Sequence, residues 1–545
     1  MPLQKIFNLE KSKAYLWLSL LGAILFAPTL FFNFTYLDDN VLILDNLNFL
    51  TNPANFFKIF SQDVFAVLHS ATAYYRPLYN LSFMLNAFIA GGAPFFYHLT
   101  NVLIHLAAIN LVFVFLNKLG AKRAVAFLGA LIFAVHPLVT VAVSWIPGRN
   151  DSLLMLFVLA SFISLINFNN EKKWRWLGGH LLFFTLAIFT KESALVLISM
   201  IIFYLWLMAE KKFSVRNALS LAGGWAPIIL IWILSRQNAL AKPMSYTIGA
   251  GLKSLWVNVP ATLQFLGKIF FPFNLSVLPI MQDTTYLYGL AALILLVAII
   301  IYGLRQDKNY WRPCLFGFVW FLVFLAPSFI RPDGALPADF IEHRVYVPML
   351  GLLFLLIKNP VWEKINFSKK YLAIFLTAII LLFSGITFFY QQNFRERLPF
   401  WQNAAKNSPR SPLARRNLGV MYYFLKNYDG ALTEYQAALK LNPSEPMVHN
   451  NIGVLLMNQG RLTEAANEYL AELKINPNYD HALFNLGLVY FNQNKKTKAA
   501  VLWEQTIKIN PNYWDAYRGL AMYYQSINNF ERANFYAKQA PALPK

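Results

Sequence analysis

Seven short stretches of this chain set ionisable residues beside long apolar runs: TYLDD (Asp38, Asp39), YYRPL (Arg76), YHLTN (His98), HP (His136), PGRND (Arg149, Asp151), KE (Lys191, Glu192) and EHRVY (Glu342, His343, Arg344). Ionisable groups at membrane depth cost about 2.5 to 3.5 kcal/mol on insertion scales, so they tend to line a cavity or a relay. Their types suit one chemistry in particular. A neutral hydroxyl that attacks a carbon needs a base for its proton, and a desolvated carboxylate with a raised pKa can be one. A phosphate that departs needs cations, and arginine offers a two-pronged fork. Asp38 or Asp39 is the candidate base. Arg76, Arg149, Arg344 and His343 are candidates for the phosphate, and His136, His98, Asp151, Lys191, Glu192 and Glu342 for the rest of the substrates.

Each stretch also has a structural reading. An aspartate is a favoured helix N-cap, so either of the acidic pair can cap the next helix. Arg149 with Asp151 can form an ion pair, and His136 before Pro137 can close a helix. Lys191 and Glu192, adjacent in sequence, point apart on a helix and need separate partners. No HExxH and no close pair of histidines is present, so no metal or other cofactor is expected.

The elements that would position these residues are membrane helices. Hydrophobic residues make up 57% of the 545 and charged ones 13%, against about 25% charged in soluble domains. Apolar runs of spanning length continue to about residue 390, the first from Ala14 to Phe34. The net charge of +21 sits largely in short loops and so reports topology; nucleic acid is not expected as a partner. Basic clusters at Lys118, Lys122 and Arg123, at Lys172, Lys173 and Arg175, at Lys211, Lys212 and Arg216, at Arg305, Lys308 and Arg312, and at Lys358, Lys364, Lys369 and Lys370 join the N-terminal Lys5, Lys11 and Lys13 on one side, expected to be cytoplasmic. Parity then requires the stretch Ser254 to Phe271 to be re-entrant or interfacial, and Pro77 to Ala90 likewise. About eleven crossings result, with the seven polar stretches on the outer side. Cys314 lies in an apolar run, where a buried, inert thiol is expected.

Beyond the membrane part the pattern changes. Pro409, Pro443, Pro477 and Pro511 recur every 34 residues, and so do Gly419, Gly453 and Gly487, with Ala521 in the fourth place, and Ala431, Ala465, Ala499 and Ala533. This period and its small residues resemble the tetratricopeptide repeat, a helical hairpin that stacks into a solenoid. The expected architecture is therefore all-α: a polytopic bundle over 1–395 and a repeat domain of three or four units over 396–545.

Taken in order, YLDD, YYRPLYNLSFMLN, FYHLTNVLIHL, FAVHP, PGRND, KES and EHRVYVP, followed by the repeats, resemble the transmembrane and tetratricopeptide repeat family of O-mannosyltransferases, within the C-type glycosyltransferase superfamily, and among these a prokaryotic member. The resemblance implies an outer first loop whose first or second carboxylate is the base, with Arg76, His136, Arg149 and Arg344 near donor phosphate and acceptor. Where the family commonly carries a glutamate soon after HP, this chain has Val141, and Asn150 replaces a more usual small residue. The implied reaction is an inverting transfer of a sugar, most simply mannose, from a polyprenyl phosphate to Ser/Thr hydroxyls of polypeptides outside the cytoplasmic membrane, the repeats presenting the acceptor. The alternatives are a C-type transferase acting on glycans or lipids, and a non-catalytic membrane scaffold that displays the repeats.

Overall fold

The computed structural model describes residues 11–68, 73–211, 213–240, 247–330, 340–365 and 370–540; Lys5, Lys212 and Lys369 of the basic clusters lie outside them. The chain forms two compact units, Met1–Ser408 and Pro409–Lys545. Among the described residues there are helices and turns and no β-strand.

The first unit runs through α1 (Lys11–Phe26), α2 (Pro77–Ala90), α3 (Pro94–Lys118), α4 (Arg123–Val135), α5 (Thr140–Ser144), α6 (Arg149–Glu171), α7 (Trp174–Thr190), α8 (Val196–Leu207), α9 (Val215–Ala239), α10 (Ile248–Asn258), α11 (Ala261–Phe270), α12 (Leu287–Gln306), α13 (Trp311–Leu325), α14 (Met349–Ile357), α15 (Lys370–Gln391) and α16 (Arg397–Asn407). Prolines set several boundaries. Pro77 and Pro94 open α2 and α3, where the missing N–H is no loss. Pro137 ends α4, and the chain resumes through a short turn into α5 at an angle of 53°.

Seven helical stretches among the described residues are long and apolar enough to cross a bilayer, and the bent pair α4 and α5 makes an eighth if it crosses as one. The chain is an integral membrane protein. The larger number read from the sequence includes shorter apolar helices. With nine residues, α14 rises only about 13 Å of a roughly 30 Å hydrocarbon core. The stretch from Ser254 to Phe271 is split at Val259 and Pro260 into the ends of α10 and α11. The centre of the unit is α6, most of whose apolar window is enclosed, packed between α3 and α7; the windows of α9 and α15 are mostly uncovered.

Hydrogen bonds gather the basic loops at one end. Lys118 Nζ donates to Asn167 at 2.6 Å, Lys211 Nζ to Asn170 O at 2.8 Å, and Lys358 Nζ to Gly120 O at 2.8 Å, while Lys364 donates to Gln306. The seven polar stretches occupy the opposite helix ends, so the charge asymmetry in the sequence is an asymmetry of the fold.

In the second unit, α17 (Pro412–Phe424) to α24 (Phe530–Gln539) pair as hairpins. The 34-residue period has a steric cause. A Cβ at Gly419, Gly453 or Gly487 would fall 2.6, 2.7 or 2.4 Å from Tyr435, Tyr469 or Trp503 of the partner helix, so glycine lets each ring lie against the backbone.

Candidate active site

The acidic pair follows α1 and a 3-10 turn over Ala27–Phe31. The loop is held from the far end of the unit: Asn33 N donates to Arg395 O at 2.7 Å, Trp401 Nε1 donates to Thr35 O at 3.2 Å, and Arg397 lies over the Tyr36 ring. Tyr36 has φ +60, a left-handed conformation, so the loop turns sharply at the acids. The two carboxylates then part company. Asp39 is buried at 1% exposure, and its oxygens accept from Thr35 N (2.6 Å), Thr35 Oγ1 (3.1 Å) and Leu37 N (3.0 Å). Burial pushes its pKa up, against the pull of those hydrogen bonds. Asp38 is half-buried, and it lies within electrostatic reach of the buried Tyr79 phenol, as do Arg76 and Asp151.

Beside this loop the helix ends bring together residues far apart in sequence. Arg76, just before α2, holds Glu192 through Nε at 2.9 Å and through Nη2, and lies over the Tyr74 ring. Desolvation works against its charge, but the Glu192 carboxylate outweighs it and the guanidinium pKa rises. Lys191, the residue after α7, donates to both oxygens of Asp151 at 2.8 Å. Its pKa falls, burial exceeding the support from Asp151. The two neighbours Lys191 and Glu192 thus do face different partners, because Lys191 is extended at φ −157. His343 Nε2 lies 3.5 Å from Asp151 Oδ2, its ring packs against Trp145, and its Nδ1 is buried with no hydrogen-bond partner. Burial, then the charges of Lys191, Arg344 and Arg76, push the His343 pKa well down. Arg344 is half-buried next to it. Arg76 and Lys191 thus face Glu192 and Asp151, with His343 beside Asp151 and Arg344 following it in the chain.

Other candidates sit differently. Arg149 is fully buried, and its guanidinium donates to Asn101 Oδ1, Ser82 O, Ser82 Oγ, Asn86 Oδ1 and Tyr97 O at 2.6 to 3.1 Å, over the Phe83 ring. It fastens α2 and α3 to the start of α6, and it is not ion-paired with Asp151. His136 accepts from Leu138 N at 3.2 Å and donates to Ile269 O at 2.9 Å, closing the break after α4 and tying it to α11. His98 is buried against Phe32, near Arg149. Glu342 is enclosed too: Lys268 Nζ reaches its Oε1 at 2.5 Å, Ser276 N the same oxygen at 3.2 Å and Tyr390 OH its Oε2 at 2.8 Å. Sequence reasoning missed Lys268 and Tyr390. The one available signal was a lysine inside FLGKIFF, on a stretch that parity already kept from crossing.

Comparison with known proteins bears on this arrangement. Residues 77–252 match a family model described as dolichyl-phosphate-mannose-protein mannosyltransferase, a segment that carries Arg149, Asp151, Lys191 and Glu192. Residues 419–460, 455–494 and 481–513 match tetratricopeptide repeat models. The chain is similar to protein O-mannosyl-transferase TMTC2 of Mus musculus, 37% identical over 169 residues, which are 30% of this chain and 20% of that one. It is 45% identical to the TMTC1 protein of Mus musculus over 91 residues, 16% of this chain and 10% of that one. With TMTC3 of Homo sapiens it shares 35% identity over 140 residues, 25% and 15% of the two chains. The matched part thus spans a fifth or less of each of these relatives. The likeness read from the short motifs agrees with this: a segment that matches the mannosyltransferase model and tetratricopeptide repeats occur here in one chain, which is similar to the transmembrane and tetratricopeptide repeat proteins.

Proposed function

We propose that this chain transfers a sugar, mannose in the simplest case, from a polyprenyl phosphate to Ser/Thr hydroxyls of polypeptides on the outer side of a prokaryotic cytoplasmic membrane, its N-terminus inside and its repeats outside. The observation that carries the reading is the convergence of Arg76, Asp151, Lys191, Glu192 and His343 from separate segments beside the acidic loop. Asp38 is the base. It is the more exposed of the two, whereas Asp39 is buried with its oxygens accepting from Thr35 and Leu37.

The acceptor oxygen attacks the anomeric carbon, its proton passes to Asp38, and the bond from that carbon to the phosphate oxygen breaks with its electron pair. The configuration inverts because attack and departure occur on opposite faces. The leaving phosphate gains a charge, and Arg76 and Lys191 of the cluster stabilise it. Arg76 and Lys191, held by carboxylates before the donor arrives, are pre-oriented for it. No step passes through a metal or other cofactor, and the repeats supply the surface for the acceptor polypeptide.

The test is release of polyprenyl phosphate from polyprenyl phosphate mannose by purified protein with a Ser/Thr peptide. Asp38→Asn is expected to lower turnover about 10²- to 10⁴-fold with donor binding retained. Turnover within twofold of wild type removes Asp38 from the role, and a wild-type protein that consumes no such donor favours the scaffold.

A further inference from the structure

Three ties run from the stretch after α15 to the acidic loop, and they converge on one turn. Asn33 N donates to Arg395 O at 2.7 Å, the Arg397 guanidinium lies 5.1 Å from the centre of the Tyr36 ring, and Trp401 Nε1 donates to Thr35 O at 3.2 Å. Thr35 is the residue that holds Asp39, through its N–H at 2.6 Å and its hydroxyl at 3.1 Å. Tyr36, next in the chain, has the left-handed φ of +60 that a bulky residue keeps only where its surroundings impose it. The turn that sends Asp39 inward and leaves Asp38 the more exposed acid is therefore held from outside the loop.

The support is itself firmly seated. Trp401 is 0% exposed, its ring packs on Phe400, and Phe400 packs on Phe394, at centroid distances of 5.2 and 5.7 Å. Farther along α16, Asn403 Oδ1 accepts from Val277 N at 3.1 Å, and just past the helix Ser408 Oγ donates to Leu278 O at 2.6 Å. Both ends of α16 are thus fixed within the first unit, and the indole N–H reaches the loop from a rigid position.

We propose that Trp401 is a positioning residue for the transfer: its hydrogen bond to Thr35 holds the Tyr36 turn, and through that turn aims Asp38 at the acceptor hydroxyl. The inference rests on the proposed function, with Asp38 as its base, and deepens it by adding to that site a residue 366 positions from Thr35. A misplacement of about 1 Å can cost roughly 10²-fold in rate, so a loosened turn slows the transfer without weakening the donor, which Arg76 and Lys191 meet.

Trp401→Phe keeps an aromatic ring against Phe400 and removes the N–H. Trp362→Phe is the matched control, since Trp362 Nε1 donates to Leu356 O at 2.8 Å among the basic loops at the opposite end. Turnover of undecaprenyl phosphate mannose with a Ser/Thr peptide is measured per bound donor, so that a change in the folded fraction drops out. Trp401→Phe is expected to lower kcat about 10- to 100-fold with donor KM within twofold of wild type, and Trp362→Phe to leave both within twofold. Asp39→Asn loosens the same turn, so Trp401→Phe/Asp39→Asn should be no slower than the slower single variant; effects that multiply overturn the route through Thr35. Deuterium exchange of the full chain reads the turn without turnover: amides of 33–39 should exchange about tenfold faster in Trp401→Phe and at the wild-type rate in Trp362→Phe. A kcat within twofold of wild type in Trp401→Phe, or unchanged exchange over 33–39, overturns the positioning role and leaves the proposed reaction standing. A wild-type protein that consumes no such donor overturns the proposed reaction, and the positioning role with it.

Discussion

Replacing Lys268 by Met should destabilise the first unit by about 3 to 5 kcal/mol, the range found when one partner of a buried ion pair is removed. The structure justifies that range over the smaller one for surface pairs. The Lys268 side chain is 1% exposed and that of Glu342 is 0%. Without the ammonium, Glu342 keeps only the Ser276 N–H and the Tyr390 hydroxyl as donors, and its carboxylate stays enclosed without a counter-charge. Each of those bonds contributes about 1.5 to 3 kcal/mol when its acceptor is charged, so together they do not replace the ion pair and the desolvation it offsets. Lys268→Met/Glu342→Gln removes both charges and should recover most of the loss, giving a coupling of at least about 2 kcal/mol in a double-mutant cycle. Equilibrium unfolding in mixed micelles, followed through the 14 tryptophans, measures all four species. The single variant should also lose turnover, because the pair seats the segment carrying His343 and Arg344. A Lys268→Met protein within about 0.5 kcal/mol of wild type would refute the reasoning: the pair would then contribute no more than a solvated one.

Asp39→Asn should loosen the acidic loop, since an amide nitrogen cannot accept from Thr35 N. Because Asp39 has a raised pKa, its contribution to stability is fully present below the unfolded value near 4 and is lost as pH rises through the native one; the advantage of wild type over the variant in thermal melts should shrink with rising pH, and a pH-independent difference would contradict this. His343 has the opposite sign. Its native pKa is depressed, so the stability it contributes is present above the unfolded value near 6.5 and lost as pH falls through the native one; His343→Gln should flatten the melting curve on that acid limb, and parallel curves would show that the ring is charged in the fold.

How far the sequence could be read depended on how local the physics was. The repeat period was legible because it records a clash within a helical hairpin, glycine against an aromatic ring, and such a clash recurs at fixed spacing. The break at His136 was legible for the same reason, the histidine capping a turn that Pro137 starts two residues away. The acidic pair marks the limit of local reading. Both carboxylates satisfy the motif, and only the turn at Tyr36 decides that Asp39 faces its own loop. Partners 74 and 116 residues apart, Lys268 with Glu342 and Arg76 with Glu192, leave no spacing to read.

Arg149 and Arg76 show why residue type alone does not assign a role. Both are arginines beside apolar runs, and both end up at the same end of the unit. Arg76 is paired with a carboxylate, which an arriving phosphate can partly replace as its partner. The five hydrogen bonds of Arg149 go instead to carbonyl, amide and hydroxyl oxygens, which hold the guanidinium without neutralising it. Its charge is therefore felt beyond its contacts, and Tyr79, which lies within reach of Asp38, is among the groups that sense it. A buried arginine so placed favours an anion in the neighbouring cluster through its field rather than by touch. The phosphate site proposed above is thus built from cations that can exchange partners around one that cannot.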